Sequence, residues 1–173
     1  VETGKKIQTR AAATLKRVTL ELGGKSANII FDDADLDKAV PMSAAAIWSH
    51  AGQICIAGSR LLVQRSIHDE VVERLVEQSR SLKLGSGFDS ETNVGPLVSQ
   101  VQLDRVWRYV KTGIAEGATL ALGGEKGEGQ GFFHQPTIFT QVNNQMTIAQ
   151  EEIFGPVVVV FPFDTEEEAS AIA

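Results

Sequence analysis

The only cysteine of the 173-residue chain, Cys55, lies in a segment whose residue types suit nucleophilic chemistry. Gly52 and Gly58 flank it three residues to either side, and glycines allow close approach to a substrate and backbone angles that other residues resist. A thiolate here would attack an electrophilic carbon, its backbone amide could stabilise an oxyanion, and a helix starting nearby would lower the thiol pKa. A lone cysteine is nevertheless most often a small buried apolar residue, so this segment alone favours packing over chemistry.

Two further segments carry residues that suit the same chemistry. Residues 20–25 are Leu-Glu-Leu-Gly-Gly-Lys, and residues 151–156 are Glu-Glu-Ile-Phe-Gly-Pro. Together with Gly-Gln-Ile-Cys-Ile-Ala-Gly-Ser-Arg at residues 52–60, they resemble, in the same order, three segments of the NAD(P)-dependent aldehyde dehydrogenase family. The resemblance extends over essentially the whole chain, and it shifts the interpretation of the cysteine segment from packing to chemistry.

The resemblance implies that Cys55 is the nucleophile and Glu21 the general base of an aldehyde oxidation. The thiolate would add to the aldehyde carbonyl, and the tetrahedral thiohemiacetal would lose hydride to the nicotinamide and become a thioester. Water activated by Glu21 would then open the thioester, and a carboxylate in a largely apolar site can have its pKa raised for this task. Sequence spacing does not show that Glu21 and Cys55 act together. Without the resemblance, Glu21 would be expected to be a hydrogen-bonded carboxylate at a strand end.

The same resemblance implies a binding site for NAD or NADP. Glu152 would bond the nicotinamide ribose, Phe154 would pack beside the ring, and Leu22 and Gly23 would face the nicotinamide amide. Gln102 resembles a further ribose contact, with a solvated helix face as the equal alternative. By itself, an acidic pair that ends at Gly-Pro is more often an ordinary turn.

Composition and charge narrow the classes of partner. The net charge of -6 and the pI near 5.1 argue against a basic nucleic-acid surface and favour a small-molecule substrate. No apolar run approaches the roughly 20 residues of a membrane span, and the first ten residues lack the apolar core of a secretory signal. A single cysteine cannot form an internal disulfide, so a cytoplasmic location is predicted. The family resemblance implies that the full-length protein is a homo-oligomer.

Other candidate sites are weaker. The three histidines, His50, His68 and His134, lack the Asn or Asp partner signature of cysteine hydrolases, so solvated or helix-end roles are favoured. No cluster has metal-ligand spacing, and no metal site is predicted. The glycine-rich residues 123–131 lack the phosphate-loop patterns, which favours an exposed loop.

The elements that must position these residues follow from apolar spacing. Strands and helices alternate, and the strands are almost continuously apolar. This pattern predicts an α/β fold with a mostly parallel sheet and helices on both faces. Strands are predicted at residues 18–22, 27–31, 61–63, 119–122 and 157–161, and helices at 5–17, from Asp35 towards Ser49, from Ser66 onwards, at 99–116 and from the capping box at Thr165.

Within the helix at 99–116, the spacing predicts which side chains face the core: Leu103, Val106, Trp107, Val110 and Ile114.

The resemblance also predicts what lies outside these residues. Residues 1–173 are expected to be the nucleophile-bearing part of a catalytic domain, truncated at both ends, with an N-terminal cofactor-binding domain and C-terminal elements missing. Such a chain is expected to be inactive alone. Two alternatives stay open: a thiol hydrolase or acyl transferase that uses Cys55 with Glu21, and a non-catalytic scaffold that keeps the fold.

Overall fold

A five-stranded sheet forms the centre of the computed structural model, which describes residues 1–173. In chain order the strands are β1 (Ala27–Ile30), β2 (Arg60–Gln64), β3 (Thr119–Leu122), β4 (Thr137–Thr140) and β5 (Val157–Phe163). Their spatial order is β1-β2-β5-β4-β3, and every neighbouring pair is parallel except β3 and β4. The prediction of a mostly parallel sheet is therefore confirmed.

Six α-helices accompany the sheet: α1 (Glu2–Ala12), α2 (Leu36–Trp48), α3 (His68–Arg80), α4 (Gln100–Ala115), α5 (Thr147–Gln150) and α6 (Glu166–Ile172). Side-chain caps fix three of their starts, because Asp35, Ser99 and Thr165 each accept a hydrogen bond from a first-turn amide. Pro41 lies inside the continuous helix α2. None of the helices combines the length and the apolar character that crossing a bilayer requires.

The core lies along the two central strands. Leu61, Leu62 and Val63 of β2 are at most 1% exposed, and β5 is buried along most of its length. Alternate side chains of a strand point to opposite faces of the sheet, so both faces must be covered. This double cover explains why β5 and the middle three residues of β2 are apolar.

One predicted strand and one predicted helix boundary are wrong. Residues 18–22 form no strand, because no neighbouring chain supplies the backbone partners of a ladder, and β-branched composition does not replace them. The helix predicted at 5–17 ends at Ala12, shortly before Leu15 adopts a left-handed φ of 53°. Residues 18–26 instead run as an irregular segment into β1.

The helix α4 shows a smaller error. Ile114, predicted to face the core, is 51% exposed. Its neighbour Gly113 faces inward instead, close to Ile148 and Phe139. The short elements β4 and α5 are absent from the sequence-based prediction.

Candidate active site

The three segments of the resemblance meet at one edge of the sheet. Residues 20–25 lead into β1, residues 52–60 lead into β2, and residues 151–156 lead into β5. Because β1, β2 and β5 are adjacent and parallel, the segments that precede them must lie side by side. A hydrogen bond of 2.8 Å from the Arg60 guanidinium Nε to the Lys25 carbonyl joins the first two segments.

Cys55 lies in a tight turn at this edge and is exposed. The chain reaches it from a 3-10 helix, Ser49–Gly52, in which His50, Ala51 and Gly52 have successive positive φ angles of 51°, 54° and 71°. The thiol is accessible to reagents, so a buried packing role does not describe it. No helix begins at the cysteine, so the predicted helix effect on the thiol is not provided by this chain.

Two glycines allow the segments to touch. A Cβ on Gly52 would collide with the carbonyl of Gly155, and Gly52 also has a left-handed φ that glycine tolerates best. A Cβ on Gly23 would collide with the carboxylate of Glu152. The cysteine segment and the Gly-Gly segment therefore both pack directly against residues 151–156.

Gly23 and Gly24 form a matched pair for testing this contact. We expect Gly23→Ala to displace the Glu152 carboxylate and to lower the free energy of unfolding by about 1 kcal/mol, the low end of the cost of overpacking, because the displaced atoms are the end of a flexible side chain. Gly24→Ala, whose added Cβ meets no atom within 4 Å, should change it by less than about 0.5 kcal/mol. Chemical denaturation of both variants measures the difference, and equal effects would contradict the contact.

Side chains of helix α4 bond the backbone carbonyls of the third segment, residues 151–156. The Gln102 side-chain amide donates to the carbonyls of Ile153 at 3.0 Å and Phe154 at 2.7 Å. The Arg105 guanidinium donates to the carbonyl of Glu152 at 2.7 Å. Both N–H bonds of Gln102 are thus engaged with the protein, and a ligand contact by Gln102 would have to use its side-chain oxygen.

The two acidic residues of this segment, Glu151 and Glu152, differ in exposure to solvent. Glu151 is exposed and accepts a hydrogen bond of 2.6 Å from the hydroxyl of Tyr109. Burial, and then this bond, raise the pKa of Tyr109 above its usual value. Glu152 turns inward, and its Oε1 is enclosed without a hydrogen-bond partner, whereas Oε2 is not enclosed. The two neighbouring carboxylates therefore have different environments.

A second enclosed charge faces Glu152. Lys25 is half-buried as a residue, but its Nζ is fully enclosed and has no hydrogen-bond partner. Burial and the nearby Arg60 guanidinium lower the pKa of Lys25 to about 7, and Glu152 opposes them. Lys25 and Glu152 line the same small cavity, with Gly52, Ile54, Ala57, Phe154 and Gly155 among the other lining residues.

This lysine makes stability depend on pH. Between pH 7 and 10.5 the unfolded chain binds the Lys25 proton and the folded chain does not, so the free energy of unfolding rises with pH. The full slope is about 1.4 kcal/mol per pH unit. We expect Lys25→Met to remove most of this slope and the exposed control Lys6→Met to keep it. Denaturation curves at pH 7, 8 and 9 measure how the free energy of unfolding changes with pH. The same slope in both variants would show that Lys25 does not cause the pH dependence.

The other predicted residues have mixed placements. Glu21, Leu22 and Gly23 are exposed, so residues 1–173 do not provide the apolar enclosure expected around Glu21. Phe154 is half-buried and has a positive φ of 60°. No group of three His, Cys, Asp or Glu side chains is arranged to hold a metal ion.

Two of the three histidine rings make hydrogen bonds within the chain, and neither bonds the thiol. His68 is paired with Asp69, and His134 bonds the carbonyl of Gln135.

Sequence reasoning assigned no function to two residues of this edge, Lys25 and Arg105. Lys25 belongs to the quoted segment 20–25, and a lysine next to an apolar strand was the available signal. Arg105 carried no signal, because its bond to the carbonyl of Glu152 spans 47 positions of sequence.

The architecture and the three converging segments define the chain as an α/β protein with an exposed thiol beside two carboxylate segments. The family model described as "Aldehyde dehydrogenase family" matches residues 1–173. The chain belongs to the aldehyde dehydrogenase family.

Relatives and solved structures agree with this assignment. The chain is 49% identical over its full length to a betaine aldehyde dehydrogenase of Bacillus subtilis and 50% identical over 96% of its length to an aldehyde dehydrogenase of Emericella nidulans. It spans 36% and 33% of their lengths. An NAD+ complex of aldehyde dehydrogenase from Bacillus cereus matches 98% of the chain with a TM-score of 0.96 and 50% identity, and the chain covers 35% of it.

A betaine aldehyde dehydrogenase from Staphylococcus aureus in complex with NAD+ matches 99% of the chain with a TM-score of 0.96 and 45% identity, and here too the chain covers 35% of the structure. The match confirms the predicted fold.

Proposed function

We propose that the whole protein containing this chain oxidises an aldehyde to a carboxylic acid with NAD or NADP. One observation carries the proposal: the exposed Cys55, the Glu21 segment and the Glu152 segment lie together at the amino ends of three adjacent parallel strands. The family assignment gives this arrangement its chemistry. The relatives described as aldehyde dehydrogenases and the structures described as NAD+ complexes support the substrate class and the cofactor.

The chain's own residues supply nucleophile and base. The Cys55 thiolate forms a bond to the aldehyde carbon, and the carbonyl oxygen becomes an oxyanion that the Cys55 amide can stabilise. After hydride leaves, carbon and sulfur remain joined as a thioester. Glu21 takes a proton from water, the hydroxide attacks the thioester carbon, and the carbon–sulfur bond breaks to release the acid and the thiolate.

The residues of this edge fit a dinucleotide. Glu152 Oε2 stays free to accept a hydrogen bond from a ribose hydroxyl, while Gly23 leaves room for the carboxylate. Phe154, in the same segment, and Leu22, beside Gly23, would contact the nicotinamide. Gln102 holds the Phe154 backbone by a hydrogen bond to its carbonyl. The bound cofactor supplies the hydride acceptor.

The rest of the protein completes this site. The chain covers about a third of its relatives, so we propose that residues 1–173 are the nucleophile-bearing part of the catalytic domain and that most cofactor contacts come from elsewhere. The part of the protein outside residues 1–173 would also enclose Glu21. We further propose that the protein is cytoplasmic and does not bind nucleic acid, which the single free thiol and the net charge of -6 support respectively. The family assignment supports a homo-oligomer as the assembly.

The deciding experiment compares cofactor dependence. The whole protein should oxidise aldehydes only with NAD or NADP, and the isolated 173-residue chain should show little or no turnover. Ester or amide hydrolysis at full rate without cofactor would favour the thiol hydrolase alternative. A thiol as inert as an ordinary exposed cysteine, with no turnover by the whole protein, would favour the scaffold.

A further inference from the structure

Two buried groups of opposite charge at the candidate site lack partners. Lys25 Nζ and Glu152 Oε1 are both shielded from solvent, and neither makes a hydrogen bond within the protein. An isolated buried charge costs several kcal/mol, so such groups in a native structure are normally paired directly or through a water molecule. Both residues line one cavity, which has room for about one water molecule.

The backbone around the carboxylate is fixed from two directions. Arg105 donates to the carbonyl of Glu152, and Gln102 donates to the next two carbonyls along the chain. The carboxylate itself lies against Gly23, where any larger residue would collide with it. The main chain of Glu152 is bonded by α4, and Gly23 closes one side of its carboxylate. Its side chain shares the cavity with two polar side chains, Lys25 and Ser59, and of these only Lys25 can carry a charge.

We propose that Lys25 is a positioning residue whose ammonium group holds Glu152 Oε1 across the cavity through one water molecule, so that Oε2 is aimed at the cofactor ribose. This inference rests on the proposed function and deepens it. Lys25 itself does not touch the cofactor, because its Nζ is enclosed. Its effect on binding therefore passes through the orientation of Glu152.

The arrangement makes cofactor affinity sensitive to pH. The charged groups that face Lys25 are Arg60 of β2, which lowers its pKa, and Glu152, which raises it; no other residue that lines the cavity is titratable. With the Lys25 pKa at about 7, the ammonium is present at pH 6 and mostly lost at pH 8.5. Glu152 then loses its partner, and cofactor affinity falls as pH rises.

The first test measures the coupling without any cofactor. In the isotope-labelled 173-residue chain, NMR titration of lysine side chains should show one lysine, absent from Lys25→Met, that titrates near neutrality. Glu152→Gln removes a charge that raises the Lys25 pKa, so that pKa should fall by half a unit or more. Glu151→Gln is the matched control, since Glu151 faces solvent and bonds Tyr109. An unchanged Lys25 pKa in Glu152→Gln would overturn the proposal.

The second test measures NAD affinity of the whole protein by equilibrium titration at pH 6.5 and 8.5. The wild-type Kd should rise several-fold between these values. Lys25→Met should raise the Kd about tenfold at pH 6.5 and abolish the pH effect, and Lys25→Arg should restore part of the affinity without pH dependence. A Lys25→Met Kd within twofold of wild type at both pH values would refute the positioning role.

The outcomes separate this inference from the proposed function. A wild-type protein that binds no NAD or NADP overturns the function and the cofactor part of the inference together. A wild-type protein that binds NAD while Lys25→Met binds it equally well overturns the inference alone. If Lys25→Met fails to fold, the Lys25 signal is identified by its absence in Lys25→Arg, and the Glu152→Gln titration decides.

Discussion

Replacing Cys55 by serine in the whole protein is expected to lower the rate of aldehyde oxidation by about 10⁴-fold or more. The serine hydroxyl is not ionised near neutral pH and is a far weaker nucleophile towards the carbonyl carbon. Because the residue lies exposed in a turn, the substitution should leave the folded structure intact. Steady-state rates measured with the melting temperature of the variant separate chemistry from stability.

A second cysteine serves as the control for thiol reactivity. Ser90 is exposed in another turn, so Ser90→Cys in the Cys55→Ser background gives an ordinary surface thiol in the same protein. The thiol of Cys55 should react with iodoacetamide faster at pH 7 than the introduced one. Equal rates, together with full activity of Cys55→Ser, would contradict the nucleophile assignment.

Substitution of Glu21 by glutamine is expected to separate the two halves of the reaction. An amide cannot accept the proton of the attacking water, so thioester hydrolysis should slow by about 10²- to 10⁴-fold. Formation of the thioester does not need this base, so the first turnover should still release a burst of reduced cofactor. Rapid-mixing kinetics compare the burst amplitude with the steady-state rate.

The control for this variant is Glu91→Gln, an exposed glutamate in the loop before α4. It should retain both burst and steady-state rate. If Glu21→Gln instead lost the burst and the steady-state rate together, Glu21 would act before the thioester, in activation of the thiol, and the assigned role would be wrong.

The position of the candidate site in the sheet follows from the strand topology. In open α/β sheets, ligands usually bind outside the carboxyl ends of the strands. Here the three converging segments all precede their strands, so they lie at the amino edge of β1, β2 and β5. Hydrogen bonds from α4 to residues 152–154 hold this edge in place. The edge is therefore built from turns supported by a rigid helix.

Much of the fold was predictable because its signals are local. The apolar runs of β2 and β5 and the caps at Asp35, Ser99 and Thr165 each depend on a few consecutive residues. The false strand at 18–22 shows the limit of such signals, since a strand exists only where another strand pairs with it. The short β4 was missed for the complementary reason: its burial comes from the neighbours β3 and β5.

The sequence by itself determined the fold class, the family resemblance and the segments that carry Cys55, Glu21 and Glu152. Only the tertiary structure decided that Lys25 and Glu152, 127 positions apart in the chain, share one cavity, and that both amide hydrogens of Gln102 are bound to the backbone. The physical reason is that strand order and helix docking arise from burying the whole sheet at once. No local pattern encodes which distant side chains that burial brings together.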